Sequence, residues 1–508
     1  MNEIKVFYIY SMNIIVRWLA ALIILPGVQQ TAHAQSRRED IYSASVLYQK
    51  RMAMDKDLRE RITGRNMSLP LDSNTEDKYM SACWAVSQFL IYNPSVEHGF
   101  DTLFHHYPDL SYDTKKALLE AVYAVAPQNY SDRIHNILDN ETDPKLFALC
   151  AAYLYRTDTS TGNGNTLKIR MVEKFPDYDS LPLLHELADY LSYHTQRIRH
   201  QPPNLAILFE YQRTKRQKTI YSFQRWDRDY PGLAIIQDEN GRFIKDAQGR
   251  LQIFQQLARS GSDLPYFITN GSTPQGIYSI QGTDVSRINL IGPTPNIQLL
   301  MPFEDTWEKF FHQETDTLLQ TPNTPDQNTD ALQSHSLTNS LQPQAPIHSL
   351  QPHSLTNSLQ PHSIANTLQP QASIDSLQTY LQAYLQLLPP DWRAYTPMLE
   401  AWSAGRIGRT EIIAHGTTID PEYFKDKPFY PLTPTMGCLC AKELWNPTSG
   451  HPLGSEQLNL VNAWRHTSPN ESSAHSGYLY VINVDDQHTP LTRTEVEAWV
   501  SKWEKSYL

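Results

Sequence analysis

The sequence predicts an α+β protein in which an N-terminal α-helical domain precedes a mainly β domain with a large insertion. Three observations predict this class. Apolar residues recur at helical spacing between residues 78 and 155. From about residue 205 onward, short alternating or β-rich runs separated by turn residues replace that spacing. A tract rich in Gln, Pro, Ser and Thr then interrupts the second region. The resulting segments are 1–34, 35–205 and 206–508, with the insertion at 313–375.

The segment 1–34 is typical of an export signal peptide. Arg17 precedes the apolar run 18–25, and Ala32-His33-Ala34 provides the small residues after which a signal peptidase cuts. The apolar run is too short to span a membrane comfortably, and no cysteine follows the cleavage point for a lipid anchor. We therefore expect an exported protein of the periplasm or cell envelope without a stable membrane anchor.

The helical domain contains four segments with a clear helical pattern. The last of them has the best start signal, because Thr142-Asp143 can cap a helix and Pro144 fits its first turn. Short helices in succession indicate antiparallel pairs, for which a HEAT-like stack is one arrangement. We expect this domain to bind a protein partner. The predicted helices cover residues 78–92, 112–126, 130–138 and 144–155.

The region after residue 205 begins as a β meander. Asn240-Gly241 and Gly249 are turn signals between its strands. The predicted strands cover residues 219–226, 232–237, 242–245, 251–255 and 273–278, with later strands at 412–414 and 478–484. Residues 377–388 and 395–402 have helical spacing beside the insertion, and residues 492–502 form a closing amphipathic helix.

The insertion contains a repeated nine-residue unit. His-Ser-Leu-Thr-Asn-Ser-Leu-Gln-Pro occupies 335–343, recurs at 353–361 and continues as a variant at 362–370. The insertion has too few apolar side chains to offset the conformational entropy that it would lose on ordering. We therefore expect it to be disordered. The repeated histidines are widely spaced in a flexible chain, which argues against a metal site. We predict no metal and no cofactor for the protein.

Composition and cysteine usage narrow the function classes. With 508 residues, of which 40% are hydrophobic, the chain can bury more than one core, and its formal charge of -11 argues against nucleic-acid binding. Cys83 and Cys150 lie at helical spacing with apolar residues and are expected to be core thiols. Cys438 and Cys440 are two apart in an extended segment, about 6.6 Å between α carbons, near the limit for a disulfide. A redox-active bond between them and a free Cys440 lining a pocket are both open.

His415 and Cys438 supply a base and a thiol nucleophile. A thiol of ordinary pKa, about 8.5, is mostly protonated at neutral pH, so a nucleophilic cysteine needs an imidazole to accept its proton. His415 ends the predicted strand 412–414, which is a rigid support for a base. Gly437 lets a substrate approach the backbone amides that hold an oxyanion. The sequence therefore favours an enzyme.

These residues resemble the catalytic domain of the L,D-transpeptidases (YkuD family), which remodel bacterial peptidoglycan. His415-Gly416 match the family's upstream pair, and Thr435-Met436-Gly437-Cys438 is similar to its Ser/Thr-His-Gly-Cys motif. Thr273-Pro274-Gln275-Gly276-Ile277-Tyr278 looks like its Thr-Pro-x-Gly-x-Tyr/Phe strand, and Met301-Pro302-Phe303 like its Met-Pro-aromatic segment. Met436 replaces the second histidine, and Cys440 replaces an arginine or asparagine.

The resemblance implies an L,D-transpeptidase-like β domain and a thioester mechanism on peptidoglycan stem peptides. Cys438 is then the nucleophile, His415 the base, and the Gly416 carbonyl the partner of the second imidazole nitrogen. The residues expected to hold the oxyanion or substrate are Gly437, Thr435, Met436 and Cys440. The acceptor is either an amine, giving a crosslink, or water, giving a carboxypeptidase.

Two other functions stay open at this point. One is a catalytically inactive, wall-associated adaptor with a degenerate transpeptidase fold, in which the helical domain binds a partner. The other is a thiol-redox protein that uses Cys438 and Cys440. Fast alkylation of Cys438 is expected only of the enzyme, and a reversible disulfide only of the redox protein.

Overall fold

The computed structural model describes residues 36–192, 201–313, 374–467 and 476–507. The predicted signal peptide and nearly all of the repeat insertion lie outside these residues. The described residues from Arg37 onward belong to one compact unit, which combines an α-helical region with a mixed eight-stranded barrel. No described helix is both long enough and apolar enough to cross a membrane.

The helical region contains all four predicted helices and others that the sequence analysis missed. The predicted helices begin within two residues of the expected positions. The α-helices of this region are α1 (Tyr48–Lys56), α2 (Glu76–Phe89), α3 (Pro94–His105), α4 (Tyr112–Val125), α5 (Ser131–Asn140), α6 (Pro144–Thr157), α7 (Thr161–Lys174) and α8 (Pro182–Leu191). The predicted helices correspond to α2, α4, α5 and α6.

Helix α6 shows why these segments were predictable. The carboxylate of Asp143 accepts hydrogen bonds from the backbone N–H groups of Lys145 and Leu146, at 2.9 and 3.0 Å. These bonds satisfy donors that have no partner within the helix. Cys150 of α6 and Cys83 of α2 are fully buried in one apolar cluster, as expected of core thiols.

The second region alternates strands with helices. Its elements are α9 (Leu205–Thr214), β1 (Thr219–Arg225), β2 (Gly232–Gln237), β3 (Phe254–Leu257), β4 (Gly276–Asp284), β5 (Asn296–Leu300), α10 (Trp307–Phe310), α11 (Ile374–Leu385), α12 (Pro390–Arg393), α13 (Glu400–Arg406), β6 (Ile413–His415), β7 (Leu439–Ala441), β8 (Glu443–Trp445), β9 (Pro452–Ser455), α14 (Glu456–His466), β10 (Gly477–Asp485) and α15 (Arg493–Tyr507).

Eight strands close into a barrel in the order β1-β10-β4-β5-β6-β7-β3-β2. The pairs β1–β10 and β6–β7 are parallel, and the other pairs are antiparallel. Strands β8 and β9 form a separate hairpin. Both faces of the sheet are buried, since Tyr480 and Ile482 of β10 join one apolar cluster while Leu479 and Val481 join another. Such strands have continuous hydrophobic runs rather than alternation.

Four of the predicted elements need correction. Residues 242–245 are not a strand, because Phe243 and Lys245 make only single-residue bridges. The strand predicted at 251–255 lies at Phe254–Leu257, and the one predicted at 273–278 begins at Gly276 and extends to Asp284. The helix predicted at 395–402 is a 3₁₀ turn followed by α13. The partners that set these strand limits lie far away in the sequence, as with β3 and β7.

A loop of the barrel region inserts into the helical core. We name residues 263–270 the docking segment. Its apolar side chains, Leu264, Phe267 and Ile268, are buried in the same cluster as the helices. Three polar contacts flank them: Arg156 with Asp263 at 3.5 Å, Asn270 with Glu120 at 3.4 Å, and the Tyr266 hydroxyl with Glu186. The helical region is therefore packed against the barrel through shared core residues.

Candidate active site

Two adjacent parallel strands bring His415 and Cys438 together. His415 ends β6 and pairs with Cys440 of β7, and Cys438 immediately precedes β7. Because side chains alternate along a strand, His415, Cys438 and Cys440 lie on one face and Ala414 on the other. Strand spacing and rise place the α carbons of His415 and Cys438 about 8 Å apart on this diagonal.

The imidazole of His415 is 4% exposed and is oriented by its own backbone neighbour. Its Nδ1 hydrogen-bonds to the carbonyl oxygen of Gly416, as the resemblance implies. A carbonyl only accepts, so Nδ1 carries the proton and Nε2 is the basic nitrogen. Burial lowers the pKa of His415 to about 4, despite the opposing effect of the Gly416 hydrogen bond. The imidazole is neutral at pH 7 and able to accept a proton.

Glu443 and Trp445 of β8 fix the backbone that follows His415. A side chain at Gly416 would begin 2.2 Å from a carboxylate oxygen of Glu443, so any larger residue would have to displace that carboxylate. The hydroxyls of Thr294 and Ser455 both donate to Glu443 at 2.6 Å, and burial raises the pKa of Glu443 to about 7. Trp445 Nε1 donates to the carbonyl of Thr417 at 2.8 Å.

Cys438 is the one partly exposed cysteine of the four. Its Sγ donates to the carbonyl of Glu411 at 3.4 Å, and no hydrogen bond within the described residues joins it to the imidazole. Burial raises the pKa of Cys438 to about 11, although a backbone hydrogen bond from Ile413 and the charge of Arg409 oppose the increase. In the resting state the thiol and the imidazole are therefore both neutral.

Thr435 organises the turn before the thiol. Its hydroxyl accepts the N–H of Gly437 at 3.0 Å and donates to the carbonyl of Cys438 at 2.9 Å. The Gly437 amide is thus engaged with Thr435 in this state. Gly437 has a φ of +117°, a conformation that side chains disfavour.

Met436 and Cys440 have different surroundings. The Met436 side chain is 42% exposed next to the nucleophile. Cys440 is fully buried, with its thiol 3.6 Å from the Thr433 hydroxyl and 3.7 Å from the carbonyl of Ala441. All four cysteines are free thiols, so the alternative Cys438–Cys440 disulfide is not formed in this structure.

The four segments that carry the family resemblance converge on this site. The hydroxyl of Thr273 donates to the carbonyl of Gly437 at 2.8 Å, which links the Thr-Pro-Gln-Gly segment to the turn that precedes Cys438. Glu304 accepts the N–H of Met301 at 2.9 Å and that of Glu411 at 2.7 Å. Met-Pro-Phe is thereby linked to Glu411, whose carbonyl accepts the Cys438 thiol proton.

Arg409 is a site residue that sequence reasoning missed, together with Glu304 and Glu443. Its side chain is 6% exposed, and its guanidinium donates to the carbonyl oxygens of Tyr266, Gly271 and Ser272. Nothing in its neighbourhood in the sequence marks Arg409, because these acceptors lie more than a hundred residues earlier. The only local signal is a basic residue just before a buried strand.

The described part of the chain contains no group of three or more His, Cys, Asp or Glu side chains suited to hold a metal ion. In comparisons with known proteins, no family model, no curated protein and no solved structure matches this chain.

Proposed function

We propose that this protein is an exported, cysteine-dependent L,D-transpeptidase that acts on peptidoglycan stem peptides. In this proposal the barrel is an L,D-transpeptidase-like fold, and the helical region is a HEAT-like unit that binds a protein partner. The observation that carries it is that hydrogen bonds link two of the four segments to Cys438 and the turn before it, while the pairing of β6 with β7 brings His415 to the neighbouring strand. The four segments lie at 273–278, 301–303, 415–416 and 435–438, in the order that the resemblance implies.

The first step is acylation of the enzyme. Cys438 Sγ loses its proton to His415 Nε2 and attacks the carbonyl of the diamino acid in a stem tetrapeptide. The peptide bond to the terminal D-amino acid breaks, the imidazole returns a proton to the departing amine, and a thioester remains. An acceptor amine then forms a crosslink, or water releases a tripeptide. Either acceptor restores the thiol.

The resting geometry has two requirements for this mechanism. The Cys438 thiol must turn from the Glu411 carbonyl towards the imidazole. Backbone amides beside Cys438 would hold the oxyanion, and Gly437 contributes its N–H once the Thr435 hydroxyl releases it. Catalytic hydrogen bonds of this kind commonly tighten only when substrate binds.

The test is incubation of the mature protein with purified peptidoglycan tetrapeptides, followed by mass spectrometry. We expect wild type to release the terminal D-amino acid, and Cys438→Ala and His415→Gln to release none above background. Cys150→Ala is the matched control, because it removes a core thiol far from the site and should retain turnover. A folded wild-type protein without turnover would contradict the proposal, as would turnover that survives in Cys438→Ala.

A non-catalytic adaptor is the second candidate, and the resting state of the pair favours it. The thiol and the imidazole are both neutral and share no hydrogen bond within the described residues. An adaptor would show no turnover, and a thiol reagent would alkylate its Cys438 no faster than an exposed cysteine in a peptide. It would still bind peptidoglycan or a protein partner. Sedimentation with isolated cell walls measures the binding to peptidoglycan.

A further inference from the structure

Arg409 is a buried cation without a carboxylate partner among the described residues. Its guanidinium is held by three backbone carbonyls, of Tyr266, Gly271 and Ser272. Carbonyl dipoles satisfy its N–H groups but leave its full positive charge uncompensated. Burying such a charge is costly unless an anion forms nearby. Cys438, the thiol that must become an anion in the proposed reaction, is the acid to examine.

The guanidinium lies against the backbone that precedes this thiol. A side chain at Gly437 would begin 2.4 Å from Arg409 Nη2 and 2.7 Å from the carbonyl of Gly271. Because Gly437 has no side chain, the guanidinium can lie directly against it, one residue before Cys438. The acceptor carbonyls belong to the docking segment or follow it at once, and that segment is buried in the helical core.

Other charged and titratable groups also face the thiol. Glu411 and Glu304 raise the pKa of Cys438, whereas Arg409 lowers it. His415 is neutral at pH 7, and the buried thiol of Cys440 lies on the same face of the sheet. On its other side, Arg409 faces the Tyr278 hydroxyl, whose pKa burial raises well above its ordinary value. The charges that oppose a thiolate therefore come from the two glutamates.

We propose that Arg409 is a positioning residue that supplies the counter-charge for the Cys438 thiolate, and that the helical region holds it there through the docking segment. This inference rests on the proposed function, since only a reacting Cys438 needs the charge. The thiol proton passes to His415 Nε2, and the negative charge left on Sγ is stabilised by the guanidinium. The helical region thereby has a part in the reactivity of the nucleophile.

The test measures alkylation of each cysteine by iodoacetamide in the full mature chain, read by peptide mass mapping. It requires no peptidoglycan. Arg409→Gln removes the charge and keeps an amide donor for the carbonyls, whereas Arg409→Lys keeps the charge. We expect Cys438 alkylation at neutral pH to fall at least about tenfold in Arg409→Gln, and its pH midpoint to rise by about one unit or more. Arg409→Lys should stay within about threefold of wild type.

Cys83 and Cys150 report folding in the same experiment, because both are fully buried and label only when the chain opens. Unchanged Cys438 alkylation in a folded Arg409→Gln variant would overturn the proposal. If Arg409→Gln labels Cys83 and Cys150, Arg409→Lys decides: a midpoint near that of wild type supports the counter-charge, and a rise of about one unit or more refutes it. Tetrapeptide turnover without the midpoint shift would leave the proposed function intact and remove only this inference.

Discussion

Substitution of Gly437 by alanine tests the packing that surrounds Cys438. The new Cβ would begin 2.4 Å from Arg409 Nη2 and 2.7 Å from the carbonyl of Gly271, and Gly437 has a φ of +117°. Both neighbours are fixed, since the guanidinium is itself hydrogen-bonded to that carbonyl at 2.9 Å. The variant must therefore strain its backbone and displace the guanidinium.

The two effects can be estimated separately. Backbone strain of this kind costs about 1–3 kcal/mol, and forcing extra volume into a packed interior costs about 1–3 kcal/mol. We therefore expect Gly437→Ala to lower the free energy of unfolding by about 2–6 kcal/mol. Urea unfolding followed by tryptophan fluorescence measures this value. Cys438 alkylation in the folded variant should change as well, because the guanidinium must move.

Two other glycines separate strain from crowding. Gly249 has a φ of +76° and open space around it, so Gly249→Ala should cost about 1 kcal/mol from strain alone. Gly454 has open space and no positive φ, so Gly454→Ala should change stability by less than about 0.5 kcal/mol. If Gly437→Ala is no more destabilising than Gly249→Ala, the close packing of Arg409 against the turn that precedes Cys438 is refuted.

Three further predictions address the histidine, its loop and the docking segment. The folded protein excludes a proton from His415 that the unfolded chain accepts below about pH 6.5, so stability should fall by about 3 kcal/mol between pH 6.5 and 4. Urea unfolding at pH 6.5 and at pH 4 should show a smaller loss of stability in His415→Asn than in wild type. Equal losses in the two proteins would contradict the lowered pKa of His415. Gly416→Ala should be destabilised by its clash with Glu443, and combining it with Glu443→Ala should cost about 1–3 kcal/mol less than the sum of the single variants; strict additivity would exclude the contact. Phe267→Ala should lose about 3–5 kcal/mol and raise the pH midpoint of Cys438 alkylation, whereas exposed Ile169→Ala should do neither. A normal Cys438 midpoint in folded Phe267→Ala would show that the docking segment does not hold Arg409.

Local signals were sufficient to predict four of the eight α-helices that the structure describes in the first region. Asp143 and Pro144 mark the start of α6 in the sequence because a helix cap is made by residues within one turn. The same holds for the strand that ends at His415, since its apolar run is continuous. Helices α3 and α7 were missed although Asn93 and Ser160 cap them. Gly162 and Gly164 lower the helical propensity of α7.

The site could be predicted only in part, because some of its contacts depend on the closed barrel. His415 and Cys438 are recognisable by their chemistry and by sequence motifs that resemble those of a known family. Arg409 is not recognisable, since its neighbours are backbone carbonyls from a distant loop, and any residue type supplies a carbonyl. The limits of β3 were wrong for a related reason: Gln256 and Leu257 pair with Ala441 and Cys440, far along the chain.

The docking segment also determines whether the helical region and the barrel region can be produced separately. Leu264, Phe267 and Ile268 are encoded with the barrel but complete the core of the helices, so each region lacks part of its interior when produced without the other. We expect the described regions to unfold in a single cooperative transition. Separating them would remove apolar side chains from the helical core and expose the docking segment of the barrel region to solvent. Exchanging the helical region for that of another protein would therefore require exchange of this loop as well.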